Sequence, residues 1–419
     1  MSWHDNCLYK LVMRHSANKH KKERYSMKYN FDQEICRLGT ACEKWDDLEN
    51  HFGIKDVIPM WVADMDFQSP QPIIEALKQR VEHGVYGYTL RPDSYMESIV
   101  GWLKRRHRWS IEKEWITHSP GVIPALSLAI QSFTQAGDKI IIQPPVYHHF
   151  ARVIQANGRE IVNNPLKLEN GHYSIDFEDL EAKIDSTVKM LILCSPHNPI
   201  GRVWSKEELT RLGQICMKHN ILVVADEIHF DFVYKTHTHI PFASISEEFA
   251  NHSLTCIAPS KTFNLMGVQT SSIIIPNQQL RDRYNRELNT LSIGSPNIFG
   301  VVALEAAYRY GEEWLDQLLE YLQENLEYTL SYFSKNIPQI KVIQPEGTYL
   351  VWLDCRELGF SVKEMDKFML QEARVAMNEG HIFGMEGEGF MRLNIACPRL
   401  MLKNALGGIE KAFSSLCKA

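Results

Sequence analysis

Two residues that can hold an aldehyde-bearing pyridine follow short apolar runs of the chain. Asp226 comes directly after residues 221–225, and Lys261 comes shortly after residues 254–257, 35 positions further on. Such runs are typical of buried strands in a parallel sheet, and ligands of open α/β sheets collect at the carboxyl ends of the strands. A lysine amine forms an imine with an aldehyde, and a carboxylate keeps a pyridine nitrogen protonated. The pair therefore predicts a site for pyridoxal 5'-phosphate.

A third signal precedes these two. Residues 191–194 lead into Ser195–Arg202, where two prolines and a glycine predict a tight loop that presents the Asn198 amide, 28 positions before Asp226. Taken singly, each signal also fits a bland interpretation: a helix cap, a solvated surface lysine or an ordinary turn. Three strand-end signals in this order favour the cofactor site.

The elements that must position these residues alternate between strands and helices. Strands are predicted near residues 139–142, 189–194, 221–225, 253–258 and 268–275, which makes a mostly parallel sheet. A helix is predicted from Gly121 to Gln135, and a long helical stretch from about Pro296 to Ser334. Further strands near 348–353 and 391–396 predict a smaller α/β unit. Two capping boxes are predicted, at Ser205 with Glu208 and at Ser361 with Glu364.

Several motifs are unusual enough to carry a family resemblance. They are Met60–Phe67, Tyr86–Thr89, Arg105–His107, Glu114–Ile116, Pro120–Ala125, Asp226–His229 and Ser260–Asn264. On these motifs the chain from about Met27 onward resembles the fold-type I pyridoxal-phosphate enzymes, the aspartate aminotransferase superfamily (class I/II). Within it, the chain is most similar to the cystathionine β-lyase group of carbon–sulfur lyases, which is related to the maltose-regulon modulator.

The resemblance implies a domain plan. A large cofactor-binding domain at residues 75–310 holds a mostly parallel seven-stranded sheet flanked by helices, and residues 27–74 and 311–419 form a smaller α/β domain. The basic residues 1–26 fall outside the family pattern. We expect them to be a disordered tail or the product of an upstream start codon.

The cofactor phosphate needs its own binding site. Gly121, Val122 and Ile123 open a helix, whose free N–H groups and dipole attract an anion, although a plain helix start is the alternative. Ser260 adds a hydroxyl. By resemblance, Tyr88 reaches the phosphate from the neighbouring subunit, which implies a homodimer with shared active sites.

The chain departs from the aminotransferase pattern at two positions. Gln269 stands where those enzymes commonly carry a phosphate-binding arginine, and Ala258 where a serine is common. Phosphate binding is therefore expected to rely more on the helix start and Tyr88. These departures weaken the aminotransferase interpretation more than the lyase interpretation.

Three further residues are assigned by resemblance. Tyr147 stacks on the pyridine ring, His229 lies with Asn198 near the ring hydroxyl, and Arg392 binds the substrate α-carboxylate. Alternation along a strand directs Arg392 and Asn394 to one face, where a guanidinium can hold a carboxylate with two parallel bonds. The alternatives are a packing tyrosine, a structural histidine and a surface ion pair. Residues 63–66 are expected to line the entrance without a catalytic role.

Composition excludes several classes of protein. The 419-residue chain has a net charge of -6 and 44% hydrophobic residues, which argues against nucleic acid as a partner and suits a large buried core. No apolar run is long enough to span a membrane. Nine cysteines without a C-x-x-C pair indicate reduced residues of a cytoplasmic protein. His237 and His239 lack a third ligand, so we expect a surface loop and no metal.

The resemblance also implies a reaction. Lys261, displaced from the cofactor by an incoming amino acid, removes the Cα proton as the catalytic base. If the β-carbon bears sulfur, elimination releases a thiol and leaves pyruvate and ammonia. L-Cystathionine would give homocysteine, which belongs to methionine biosynthesis and cysteine metabolism, and cystine or other cysteine S-conjugates are further candidates. Two alternatives stay open: an aminotransferase, and a regulator that acts through a protein partner.

Overall fold

The computed structural model describes residues 28–416, so the predicted tail at residues 1–26 lies outside the described residues. Lys28–Asn30 belong to the unit Met1–Asn30 and have no regular secondary structure, whereas Phe31–Ala419 form a second unit. The strands of the second unit are β1 (Ile58–Pro59), β2 (Ile116–Ser119), β3 (Lys139–Ile142), β4 (Glu160–Asn163), β5 (Lys167–Glu169), β6 (His172–Ser174), β7 (Val188–Cys194), β8 (Leu222–Asp226), β9 (Ser253–Ile257), β10 (Ser271–Ile274), β11 (Lys341–Ile343), β12 (Leu350–Asp354), β13 (Val375–Ala376), β14 (Asn378–Glu379) and β15 (Phe390–Asn394).

The α-helices surround these strands. They are α1 (Glu43–Asp46), α2 (Leu48–Phe52), α3 (Gln71–Glu82), α4 (Asp93–His107), α5 (Val122–Phe133), α6 (His149–Ala156), α7 (Phe177–Ala182), α8 (Lys206–Lys218), α9 (Glu247–Asn251), α10 (Pro259–Phe263), α11 (Gln278–Thr290), α12 (Ile298–Tyr310), α13 (Glu312–Asn336), α14 (Val362–Asp366) and α15 (Arg399–Leu416). From residue 28 to residue 416, none of them is both long and apolar enough to cross a bilayer.

A seven-stranded sheet forms the centre of the fold. Its strands lie in the order β2, β10, β9, β8, β7, β3, β4, and only β10 runs antiparallel to its neighbours. Every residue of β8 and β9 is buried, which is what a sheet covered on both faces requires of its central strands. The prediction of a mostly parallel sheet is confirmed.

The two faces of this sheet carry separate apolar cores. Along β7, Met190 and Ile192 pack into a core with residues of α5, α6 and α11, whereas Leu191 and Leu193 pack into a core with residues of α7 and α8. Burial of one such side chain contributes roughly 1.5–3 kcal/mol, so this alternation fixes the register of the strand. The carboxyl ends of β7, β8 and β9 are thereby held at one edge.

A second sheet lies later in the chain. It is antiparallel, in the order β11, β12, β15, β14, and the short β1 pairs with β13 in a separate parallel pair. Every strand of the large sheet falls within residues 75–310, and every strand of the second sheet follows residue 340. We propose the predicted division into two domains on this basis, although Phe31–Ala419 form one unit by residue contacts.

The predicted helical stretch over residues 296–334 is interrupted at Gly311, where α12 ends and α13 begins. A Cβ atom at Gly311 would lie 2.4 Å from the Phe263 ring and 2.6 Å from the Ala307 carbonyl oxygen. The close approach of the helix that carries Lys261 therefore requires glycine here. Both predicted capping boxes, at Ser205 and at Ser361, are confirmed.

Candidate active site

The three predicted strand-end residues come together at one edge of the large sheet. Cys194, the last residue of β7, lies opposite Asp226, which in turn lies opposite Cys256 of β9. Asn198 follows β7 in the Ser195–Arg202 loop, and Lys261 lies in α10, which follows β9. The order of neighbouring strands thus brings the amide, the carboxylate and the amine to a common edge, as the strand-end prediction requires.

Asp226 is a buried carboxylate that forms no ion pair with another described residue. Its Oδ1 accepts one hydrogen bond, from the Ile228 amide at 3.1 Å. Burial raises the pKa of Asp226 to about 7, against the opposing effects of that hydrogen bond and of the charge on Lys261. Burial deprives the charged carboxylate of its hydration. A cation placed next to the carboxylate would stabilise the charged form again.

The Lys261 amine lies in the same environment. Its half-buried side chain donates from Nζ to the Ala63 carbonyl oxygen at 2.6 Å. Burial, followed by the positive charge of Arg392, lowers the pKa of Lys261 to about 8. Near neutral pH the amine therefore loses its proton more readily than an ordinary lysine, as a nucleophile or base must.

The short helix α10 is hydrogen-bonded to the buried carboxylate of Asp231. Thr262 Oγ1 donates to Asp231 Oδ2 at 2.7 Å, and Asp231 also bonds Trp102 Nε1 and His107 Nε2, both from α4. This cluster fixes the residue next to Lys261. Asp231 was not predicted from the sequence, because its only local signal is its place five residues after Asp226.

Arg392 forms the other side of the site. The guanidinium is buried and donates to Asn198 Oδ1 at 3.0 Å, to the Trp61 carbonyl at 2.8 Å and to Asn378 Oδ1 at 2.5 Å. Its Nε has no hydrogen-bond partner among the described residues. Burial lowers the pKa of Arg392 to about 10, although the group stays cationic at neutral pH. The surface ion pair given as the alternative is wrong, since Arg392 faces the interior.

Asn378 is a further residue that the sequence analysis missed. It lies on the two-residue strand β14, opposite Arg392 in the register with β15. Asn394, predicted to share a face with Arg392, donates to the Val62 and Asp64 carbonyls at 2.7 and 2.6 Å. Both side chains therefore reach the same stretch, Trp61–Phe67, so the predicted common face is confirmed.

Tyr147 and His229 complete the cluster of ionisable groups. Burial raises the pKa of Tyr147 to about 12, and Arg392 opposes this shift. Burial lowers the pKa of His229 well below its ordinary value, as do the charges of Lys261 and Arg392. His229 is therefore a neutral imidazole, and its Nδ1 has no partner in the described structure.

The predicted phosphate site is a helix start that no side chain caps. Gly121 is the N-cap of α5 and its φ of -172° is extended, while Val122 and Ile123 form the first turn. No side chain accepts a hydrogen bond from this turn, so its N–H groups stay open to an anion. Ser260 is buried in the first turn of α10.

Tyr88 is not brought to these residues within its own chain. Its side chain is fully exposed and lies in the loop between α3 and α4. Its predicted contact with the phosphate of a neighbouring subunit stays a prediction. Gln269 is also exposed, in the left-handed conformation after a 3₁₀ turn.

The carboxylates of Asp64 and Asp66 are occupied by cations. Lys44 Nζ, which is fully buried, lies 2.5 Å from Asp66 and 3.5 Å from Asp64, and Arg37 pairs with both. A cavity of about 280 Å³ adjoins this cluster and is lined by Gln33, Ile35, Arg37, Met65, Asp66, Phe67, Gln68 and Asn264. Arg37, Asp66 and Asn264 already bond other protein groups there. The side chains of Arg37, Lys44 and Asn264 therefore fix the position of residues 64–67.

His239 corrects one prediction. The surface-loop interpretation of this residue is wrong, because its ring is buried and its Nε2 lies 2.9 Å from Glu227 Oε2. Glu227 directly follows Asp226 and also accepts from the Phe242 amide at 2.8 Å. This pair anchors the turn that follows β8.

The fold and the site together define an enzyme of the fold-type I class. The family model for aminotransferase class I and II matches residues 55–409, so the chain belongs to that family. It is 46% identical over 386 residues to cystathionine beta-lyase PatB of Bacillus subtilis (strain 168), which covers 92% of this chain and 100% of the relative.

Two solved structures extend this likeness. A PLP-bound putative aminotransferase from Clostridium difficile 630 is 49% identical with a TM-score of 0.91, over 92% of this chain and 100% of that chain. Cystalysin from Treponema denticola, whose crystal structure contains a pyridoxal 5'-phosphate cofactor, is 38% identical with a TM-score of 0.90, over 93% and 100% respectively. The predicted family and fold class are confirmed.

Proposed function

We propose that this protein is a pyridoxal-phosphate-dependent carbon–sulfur β-lyase. With one molecule of water, it cleaves L-cystathionine or a related cysteine S-conjugate to a thiol, pyruvate and ammonia. The observation that carries the proposal is the buried Asp226 carboxylate, which forms no ion pair within residues 28–416 and lies at one sheet edge with the Lys261 amine. The choice of reaction is supported by 46% identity to a cystathionine β-lyase along that relative's entire length.

The residues of the site fit the cofactor. Lys261 offers the amine for the aldehyde, Asp226 the carboxylate for the ring nitrogen, and the uncapped start of α5 the N–H groups for the phosphate. The remaining contacts proposed for the cofactor come from Asn198, Tyr147, Ser260, His229 and, from the neighbouring subunit, Tyr88. When bound, the cofactor withdraws electrons from the Cα atom of an amino acid joined to its aldehyde.

The chain's own residues then perform three tasks. Arg392 holds the α-carboxylate through its remaining N–H groups, while Asn198 fixes the guanidinium from one side. Lys261, once free, removes the Cα proton as the general base. The Asp226 carboxylate would stabilise a proton on the ring nitrogen by charge attraction, and the positive ring nitrogen would in turn offset the cost of burying that carboxylate. After Lys261 has removed the Cα proton, the C–S bond breaks with its electron pair on sulfur, and the departing thiolate takes up a proton to become the thiol.

The assay supplies the purified protein with L-cystathionine and no keto acid. Release of pyruvate and homocysteine at every turnover supports the lyase, whereas activity that requires an added keto acid overturns it in favour of transamination. Lys261→Ala is the control. We expect its rate to be roughly 10²–10⁴-fold lower, as loss of a general base gives, and borohydride should no longer attach the cofactor covalently to the chain.

We also propose a homodimer in which Tyr88 serves the active site of the neighbouring subunit. The support is a group of exposed apolar side chains around Tyr88, because a contiguous apolar patch on a protein surface is typical of an interface. The group consists of Val81, Val85, Tyr86, Tyr88 and Leu90. A cytoplasmic location is proposed as well, because the seven cysteines between residues 28 and 416 are all unpaired.

A further inference from the structure

One backbone carbonyl of the site receives two side chains. The Ala63 oxygen accepts from Lys261 Nζ at 2.6 Å and from the Tyr349 hydroxyl at 2.8 Å. Three groups that are far apart in the chain therefore meet at one oxygen. Tyr349 has no part in the proposed chemistry so far.

The Tyr349 hydroxyl is fixed in place and stays protonated. Its ring is fully buried and meets the rings of Phe232 and His229 edge-on, with centroids 4.9 and 5.7 Å away. Burial raises the pKa of Tyr349 well above its ordinary value. The hydroxyl therefore donates to Ala63 throughout the working pH range.

The Ala63 carbonyl is itself held rigidly. The carbonyls before and after it, at Val62 and Asp64, both accept from the Asn394 amide, and the Trp61 carbonyl accepts from Arg392. Asn264, three residues after Lys261, bonds the amide and the carbonyl of Met65. The peptide plane of Ala63 therefore cannot turn away when one of its two bonds is lost.

The two hydrogen bonds compete in their effect on the lysine. A carbonyl that accepts from Nζ favours the ammonium over the amine, because the ammonium is the stronger donor. The Tyr349 hydroxyl donates to the same oxygen and makes it a weaker acceptor, so the carbonyl favours the ammonium form of Lys261 less strongly. The charged or titratable groups that also act on Lys261 are Arg392, Asp64, Asp226, Glu43, His149 and His229.

We propose that Tyr349 is a positioning residue for the Lys261 base and acts through the carbonyl that the two side chains share. The carbonyl holds one N–H of the free amine and so directs its lone pair, and the Tyr349 hydroxyl keeps that amine from being trapped as an ammonium. This role rests on the proposed function, since it concerns the same base.

The test compares Tyr349→Phe with the wild-type holoenzyme. The reaction followed is the exchange of the Cα proton of L-alanine in deuterated water, which needs the base but no β-sulfur, across pH 6 to 9. At the acidic end of this profile the exchange rate rises with pH as Lys261 loses its proton, and we call this rise the acidic limb. In Tyr349→Phe we expect the midpoint of the acidic limb to lie about half to one pH unit higher, the effect of losing one ordinary hydrogen bond. Near neutral pH the rate falls roughly three- to tenfold, while KM changes less than about twofold.

Tyr234→Phe is the matched control, because Tyr234 is a buried tyrosine whose hydroxyl has no partner in the described structure. Its profile should coincide with that of the wild type. A lower rate for Tyr349→Phe with an unmoved acidic limb would overturn the proposal, and so would an equal shift in the control. If L-cystathionine gives no pyruvate while L-alanine still exchanges, the lyase proposal fails, and the shift in the exchange profile decides the role of Tyr349 separately.

Discussion

At the scale of single residues, the protonation of Asp226 should link cofactor binding to pH. Its pKa in the folded protein is raised to about 7 from the ordinary 3.8, so the folded apoprotein binds more protons than the unfolded chain between these values. Stability from this group is complete below pH 3.8 and is lost as pH rises through about 7. We expect the melting temperature of the apoprotein to show this loss over that window.

The cofactor brings a cation to the same carboxylate and should remove that loss. The rise in melting temperature on adding saturating pyridoxal phosphate is therefore expected to be larger at pH 8 than at pH 5. Asp226→Asn serves as the control: its amide does not titrate, so the difference between the two pH values should be smaller than in the wild type and should reflect Lys261, whose pKa is about 8. An equal rise at both pH values in the wild type would contradict the assignment.

Arg392 offers a second test at this scale. Arg392→Lys keeps the positive charge but loses the planar fork, so we expect KM for L-cystathionine to rise about 10- to 100-fold with the cofactor absorbance unchanged. Arg356→Lys is the matched control. The guanidinium of Arg392 lies 4.9 Å from the centre of the Phe383 ring and that of Arg356 lies 4.7 Å from the centre of the Phe390 ring, but the Arg356 side chain is 55% exposed. A similar KM for both variants would exclude Arg392 from substrate binding.

At the scale of elements, the buried pair of Lys44 and Asp66 ties α1 to the Trp61–Phe67 stretch. Burial disfavours the charged form of both side chains, but the attraction between the ammonium and the carboxylate outweighs this effect. The pKa of Lys44 is therefore raised and the pKa of Asp66 is lowered. Lys44→Ala leaves a buried carboxylate with fewer partners, which is expected to cost about 3–5 kcal/mol of unfolding free energy. Denaturant titration measures this loss.

The control for that prediction is Lys55→Ala. Lys55 pairs with Glu49 at 2.8 Å, but both side chains are more than half exposed, so its loss should leave the denaturation midpoint close to that of the wild type. Equal midpoints for the two variants would show that the buried cluster does not hold the segment.

The sequence predicted those parts of the site that have a local signal. Asp226 ends a strand, Asn198 follows one, and the start of α5 follows a glycine, so each could be recognised from its neighbours in the sequence. The Ala63 carbonyl has no side-chain signal at all and lies 198 positions from Lys261. The interruption at Gly311 was missed for a related reason, because it depends on the approach of Phe263 from another element.

At the scale of the whole molecule, the proposed dimer can be tested by mixing two inactive variants. Lys261→Ala lacks the base, and Tyr88→Ala lacks the group assigned to the neighbouring site. A mixed dimer would have one complete site, formed by the intact Lys261 of one subunit and the intact Tyr88 of the other. After random reassociation we expect about a quarter of the wild-type activity to return.

The homodimers of each variant, refolded alone, are the controls for this experiment. If Tyr88 acted within its own chain, every mixed dimer would hold two defective sites and the mixture would stay as inactive as its components. Size-exclusion chromatography with light scattering checks that the mixed species forms.

The uncompensated carboxylate at the end of β8 also bears on how much of this protein a cell retains. A chain that has folded without its vitamin carries an electrostatic penalty near neutral pH, opens more often and is degraded sooner. The supply of vitamin B6 should therefore set the abundance of the protein as well as the fraction of it that is active. Pulse-chase labelling of B6-starved and B6-fed cells would show this as a shorter half-life under starvation, and Asp226→Asn should shrink the difference.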